Sequence, residues 1–155
     1  MKGNRSIPPG PVIPVLVYPD VRAAVAWLTA TFGFAERVRI GDSHRAQMSI
    51  GDDGAMIVAD AAGERQPPNP GAVTHVIKVR VDDVEAIFER ALTAGANILE
   101  PPTDRQYGER ECSIEDLAGH RWQFSQTMAD VAPEEYGCET VGPGWTHPAD
   151  TGHPH

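Results

Sequence analysis

Seven side chains in the second half of this chain have the chemistry to hold an oxygen-rich molecule: His75, Lys78, Arg80, Tyr107, Arg110, Glu111 and Gln123. Lys78 and Arg80 stand two residues apart in an alternating run, so an extended segment from His75 to Val81 sends both long cations to one face. Two cations with a nearby amide favour a carboxylate, a phosphonate or another oxygen-rich group through charge-assisted hydrogen bonds. The same two side chains read equally well as solvated cations whose tips point outward. Tyr107 beside Gly108 places an aromatic ring at a flexible turn, and Arg105, Arg110 and Glu111 put charge close to the strand that follows. The stretch from Pro101 to Arg110 is therefore expected to be a loop at the rim of a site. His75, at a strand start, suits either a satisfied structural histidine or a pocket residue. His120, beside Gly119, reads as a turn or packing residue, while His44 and Arg45 are candidates for a rim. No Ser-His-Asp or Cys-His order stands out, and Cys112 reads as a buried apolar filler.

The elements that must position these residues repeat. Two stretches 63 residues apart follow one plan: a short extended run, an Asp-Val step, an amphipathic helix, and a later Gly-centred hairpin. Placing Asp20-Val21 over Asp83-Val84 sets Ala24 over Ile87, Val25 over Phe88 and Leu28 over Ala91, so the core-facing helix positions coincide. The spacing predicts helices over Val21 to Phe32, capped by Asp20 and ended by Gly33, and over Val84 to Thr93, ended by Gly95. Strands are expected over Val12 to Tyr18, Ala46 to Ile50 and Met56 to Ala59, and again over His75 to Val81, Glu111 to Ile114 and Arg121 to Ser125. In the second half Ile77, Val79, Trp122 and Phe124 alternate with Lys78, Arg80, Arg121, Gln123 and Ser125, giving an apolar face for the helices and a polar face opposite. The segment AGERQPPNPG at 62–71, with three prolines and two glycines, divides a first half at 10–61 from a second at 72–127.

Composition limits the function classes. At 155 residues with 41% hydrophobic content, the chain can bury one core or two fused half-cores. A net charge of −9 speaks against nucleic acid or anionic membrane as a partner. Five of the acids fall after residue 127 with no Lys or Arg among them, so 128–155 reads as an acidic extension rich in Pro, Gly and His, partly disordered and frayed past about residue 142. His147, His153 and His155 lie in this tail and could pick up stray metal. No apolar run approaches a membrane span and MKGNRSIPPG lacks the apolar stretch of a secretory signal, which points to the cytoplasm. Two unspaced cysteines fit a reduced compartment and no disulfide framework.

With THVIKVRVDDVEAIFERALTAGA followed by PPTDRQYGERECSIEDLAGHRWQFSQ, the doubled βαβββ plan resembles the glyoxalase, bleomycin-resistance and ring-cleaving dioxygenase superfamily, the vicinal oxygen chelate fold, over about residues 10 to 127. The resemblance implies an α+β architecture: two tandem βαβββ half-domains whose four-stranded mixed sheets curl into a cup, with the helices outside. It turns the polar strand face into the expected lining of that cup. It also implies where a divalent metal sits in metal-binding members. Counting from Asp20 and Asp83, and from Gly54 and Gly119, gives Ile13, Val76, Val58 and Gln123 here; a register shifted by one substitutes His75 for Val76. Either set is too poor in donors for a Zn²⁺ or Fe²⁺ site, so no metal and no cofactor is expected. The expected function is a small-molecule-binding protein that holds an organic ligand in the cup, through Lys78, Arg80, Gln123, Tyr107, His75, Arg110 and Glu111, without a catalytic metal. A glyoxalase-like lyase, isomerase or dioxygenase with an atypical metal site is the alternative, and an interaction module with a self-filled cup is the third. Family members complete the cup by pairing halves within a chain or exchanging them between chains, and a homodimer is expected.

Overall fold

The computed structural model describes residues 2–145. The expectation of a frayed tail falls mostly outside these residues, as do His147, His153 and His155. Within them the chain runs β1 (Val15–Tyr18), α1 (Val21–Phe32), β2 (Ala35–Ile40), β3 (Arg45–Ile50), β4 (Gly54–Asp60), then β5 (Ile77–Arg80), α2 (Val84–Thr93), β6 (Asn97–Asp104), β7 (Glu109–Glu115) and β8 (Arg121–Thr127). Two four-stranded sheets result, ordered β1-β4-β3-β2 and β5-β8-β7-β6, and β1–β4 and β5–β8 are the parallel pairs in otherwise antiparallel sheets. The doubled βαβββ plan and the α+β class are as the sequence implies.

Both helices start where a short acceptor side chain precedes an apolar stripe. Asp20 accepts from the Ala23 amide at 3.0 Å and Asp83 from the Ala86 amide at 3.1 Å. Helix α1 buries Val21, Ala24, Val25, Leu28, Thr31 and Phe32, a single face at helical spacing. It ends at Gly33, whose φ of 76° suits glycine, and a Cβ there would lie 2.7 Å from the Arg90 guanidinium. Arg90 needs that space: from α2 its Nη2 donates to the Thr29 and Ala30 carbonyls at the end of α1.

Several boundaries differ from the expectation. The first strand begins at Val15 rather than Val12, because Pro11 and Pro14 have no N–H to give a ladder; Pro14 contributes only a carbonyl, which accepts from Ile57 N at 2.8 Å. The fifth is Ile77–Arg80, shorter than His75 to Val81. The stretch from Pro101 to Arg110 is mostly strand: β6 runs through Pro101 and Pro102 to Asp104, and β7 resumes at Glu109. Two consecutive prolines are tolerated because β6 is an edge strand whose pairing with β7 is interrupted by bulges on either side of Glu100.

One core serves both halves. Phe32 and Phe34, from the first half, sit on Trp122 and Phe124 of the second, with ring centroids 4.8–5.7 Å apart. Trp122 and Phe124 are fully buried, and burying side chains of this size stabilises by about 1.5–3 kcal/mol each. A polar cluster locks the same seam. The Tyr18 hydroxyl donates to Asp116 at 2.6 Å, Trp122 Nε1 donates to the same oxygen at 3.0 Å, and the Ala118 and His120 amides donate to the other. His120 Nε2 lies 2.7 Å from the Val17 carbonyl, which fixes the proton on that nitrogen. Burial first, and then the Asp116 carboxylate, pushes the Tyr18 phenol far above its ordinary range. Because both sheets turn their helix-covered faces toward this shared core, their opposite faces turn away from it, and among the described residues no strand of one sheet is hydrogen-bonded to the other.

Candidate functional site

Pleating sends alternate residues of the second sheet to the face away from the core. Register puts Lys78, Gln123 and Ser113 in one row of that face and Arg80, Ser125 and Glu111 in the next. Glu111 is the centre. Its side chain is 1% exposed and accepts from Lys78 Nζ at 2.7 Å, from Ser125 Oγ at 3.0 Å and from the Tyr107 hydroxyl, with Arg105 Nε at 3.4 Å. Burial pushes this carboxyl upward, but hydrogen bonds from Lys78, Tyr107 and Ser125 outweigh it and hold Glu111 below the usual carboxylate range. The same contacts act in reverse on Tyr107, whose phenol is pushed up to about 12, first by burial and then by the bond to Glu111. Lys78 Nζ also stands 5.5 Å from the centre of the Tyr107 ring. Glu111 is thus an ionised, buried carboxylate supplied with donors, and it fixes a lysine and a tyrosine on the sheet surface.

Of the seven residues expected at the site, the structure gathers Lys78, Tyr107 and Glu111 into direct contact and sets Gln123 and Arg80 on the same face. Arg80 donates to Thr127 Oγ1 at 2.8 Å. Arg110 is elsewhere. Adjacent to Glu111 on β7, it points the other way, binds Asp104 at 2.6 Å and approaches Glu85 of α2 at 3.9 Å. His75 is also apart: its ring lies 6.3 Å from that of His120, beside the seam between the halves. Ser125 and Arg121 join the face, and alternation through Gln123 is the signal that marks them. The acidic extension contributes as well, since Met128 and Ala129 amides donate to the Gly108 carbonyl and Tyr136 brings its ring 6.0 Å from that of Tyr107.

The corresponding face of the first sheet is different in kind. Val15, Ile57, Gln47 and Val38 form one row, and Val17, Ala59, Arg45 and Ile40 the next. Gln47 donates to the Ser6 carbonyl at 2.8 Å, holding the N-terminal arm across the sheet beside a hollow of about 370 Å³. A second hollow, of about 290 Å³, lies on the polar face of the other sheet between Val76, Leu99 and Gln123. One face is thus mainly aliphatic and the other mainly polar.

A metal centre of the kind the fold implies does not fit these residues. Val58, reached by counting from Gly54, is buried in the core under α1; the partner of Val15, and so the counterpart of Gln123, is Ile57. With Ile13, Ile57, Val76 and Gln123 at the four positions, a single weak donor is present. His75 adds nothing, as it stands at the seam. No group of three or more His, Cys, Asp or Glu among the described residues is placed to hold an ion. Both cysteines are free, and burial pushes the Cys112 thiol up to about 11, which leaves it a poor nucleophile.

A family model described as Glyoxalase/Bleomycin resistance protein/Dioxygenase superfamily matches residues 12–124. Among solved structures, TioX from Micromonospora sp. ML1 is 32% identical, with a TM-score of 0.64, over 74% of this chain and 96% of its own. TnmS3, an antibiotic binding protein from Streptomyces sp. CB03234, is 20% identical at a TM-score of 0.61, over 74% of this chain and 93% of its own. Lactoylglutathione lyase from Agrobacterium tumefaciens is 19% identical at 0.57, over 77% and 94%. The last two likenesses are those of fold.

Proposed function

Since the chain belongs to the glyoxalase, bleomycin-resistance protein and dioxygenase superfamily, we propose that it is one of the members that bind a small organic molecule in the cup without a catalytic metal, acting in the cytoplasm. The observation that carries this reading is the lining of the second sheet: a buried, fully hydrogen-bonded carboxylate set among donors on a face turned away from the core. Stability alone gives no reason to bury Glu111 there, because taking a charge out of water costs several kcal/mol unless its partners are held in place. Lys78, Tyr107 and Gln123 are the side chains we assign to the ligand's polar groups. His75 and Arg110 have no place in this site. No helix among the described residues is long and apolar enough to cross a membrane.

The cup itself is proposed to form between two copies. Each sheet turns its cup face away from the common core, so the aliphatic face of one chain closes on the polar face of another, giving two cups per homodimer. Exposed Val15, Ile40, Val76 and Leu99 at these faces supply apolar surface for the closure. The test is a thermal-shift and calorimetric screen of aromatic acids, phosphonates and glycopeptide-type antibiotics, each with and without a chelator. The expected result is one ligand per chain with an affinity indifferent to the chelator. Catalytic turnover abolished by the chelator would replace this reading with a metal-dependent lyase or dioxygenase.

A further inference from the structure

Charge is not evenly satisfied on the polar sheet face. Lys78 is taken up by Glu111 and Arg105 by Glu100 and Glu111, while Arg80 has no acidic partner and donates to the neutral Thr127 hydroxyl. Arg121 has neither an acidic partner nor a side-chain hydrogen bond among the described residues. It opens β8 two residues before Gln123, in register with Glu115, yet takes part in none of the ion pairs among the described residues. Its Nε is buried without a hydrogen-bond partner. Arg22 and Arg45 also have an unpartnered buried Nε, but neither lines a hollow, whereas Arg121 lines the one of about 290 Å³ with Val76, Leu99, Glu100, Ser113 and Gln123.

We propose that this hollow is a carboxylate subsite, in which Arg121 receives the acid group of the ligand. A guanidinium presents a planar fork of donors that matches a carboxylate two-to-two, and Arg121 borders the hollow with no acid of its own to occupy that fork. Ser113 and Gln123 border the same space with a hydroxyl and an amide, able to bind the second lone pairs of the acid. Glu100 does not oppose it, because its carboxylate is held by Arg105. Val76 and Leu99, 53% and 40% exposed, form apolar walls beside the polar end. The ligand class is therefore an organic acid with an apolar body, and the cation that selects it is Arg121 rather than Lys78. This inference rests on the reading of the cup as a small-molecule site.

The experiment compares phenylacetate with phenylacetamide, which share a body and differ in charge, by calorimetry on the full-length protein and on Arg121→Met and Arg121→Lys. The wild type is expected to bind the acid about tenfold more tightly than the amide, the worth of one charge-assisted pair. In Arg121→Met the preference falls to about one while the amide keeps its affinity within about twofold, and in Arg121→Lys a part of the preference remains. Equal affinities in the wild type, a preference that survives Arg121→Met, or no binding of the acid up to about ten millimolar overturns the subsite. A neutral compound that binds while the acid shows no advantage overturns the subsite alone, whereas failure of every compound in the wider screen removes the underlying cup reading too.

Discussion

At the scale of single residues, Glu111 decides what its neighbours do. Alternation along the strands marks Lys78 and Gln123 from the sequence, because each sits on a regular period of two, whereas Glu111 stands out there only as a charge beside a loop. Arg110 shows where that reasoning fails. Adjacent residues of a strand cannot share a face, but the sequence pattern puts Arg110 at the end of a loop, and β7 begins at Glu109, two residues before the expected Glu111. Knowing the ion pair changes what Lys78→Met should do. On a free surface the change is neutral; here it leaves a buried carboxylate short of a donor, so it should destabilise by about 1–2 kcal/mol, moderated by the half-exposed lysine. Urea denaturation of Lys78→Met, Glu111→Met and the double variant checks this, the double variant being less destabilised than the two singles together. The pH dependence has a definite sign. Glu111 and Glu36 both have folded values below their unfolded ones, Glu36 held at about 2 mainly by hydrogen bonds from Arg22 and Arg39. Their stabilisation is present above the ordinary value of 4.5 and is lost as pH falls through the folded values. Tyr107 works the other way: its bond to Glu111 stabilises fully below 10.0 and fades as pH rises through about 12. A pH series of unfolding midpoints for wild type, Glu36→Gln and Tyr107→Phe should therefore converge at the acid end for the first variant and at the alkaline end for the second.

At the scale of elements, the turn between β6 and β7 depends on one glycine and on the acidic extension. Gly108 has a φ of 87°, and a Cβ there would run into the Ala129 carbonyl and the Val131 side chain. Gly108→Ala should cost about 2 kcal/mol, more than the left-handed backbone alone accounts for. It should also loosen Tyr107, so that the Tyr107 phenol, now near 12, titrates closer to 10.0. Spectrophotometric titration of wild type, Gly108→Ala and a chain ended at Thr127 measures this directly, and the truncated chain should shift in the same direction because it lacks Ala129 and Tyr136. Both helices were legible in the sequence to the residue, since cap, stripe and stop coincide in each. The extension was not. Pro133–Tyr136 forms a single 3₁₀ turn whose docking on Tyr107 depends on residues far back in the chain, and no local pattern carries such a contact.

At the scale of the whole molecule, the doubled plan was readable but the way its halves join was not. Tyr18 and Asp116 are 98 residues apart, and a buried pair of that separation leaves no periodic trace. Asp116 accepts from four donors, so Asp116→Ala should cost about 3–5 kcal/mol, while Asp116→Asn, which keeps an acceptor, should cost roughly half as much. A lower urea midpoint with an unchanged slope is the expected signature, showing that both halves unfold together. The outward cup faces lead to a prediction of assembly: light scattering at about 50 µM should give a dimer, and a strict monomer would remove the two-copy cup.

The shared aromatic seam also sets a timetable for the chain as it is made. Phe32 and Phe34 belong to the first βαβββ unit, but the surfaces that cover them, Trp122 and Phe124, lie close to the end of the second. At about 5–20 residues added per second, the intervening stretch takes on the order of 5–20 s to synthesise. During that interval the aromatic edge of the first unit has nothing to cover it, a surface of the kind that chaperones hold and that neighbouring nascent chains on one message can join. Only after the last strand has left the ribosome can the seam close, so the final step of folding waits for nearly the whole chain.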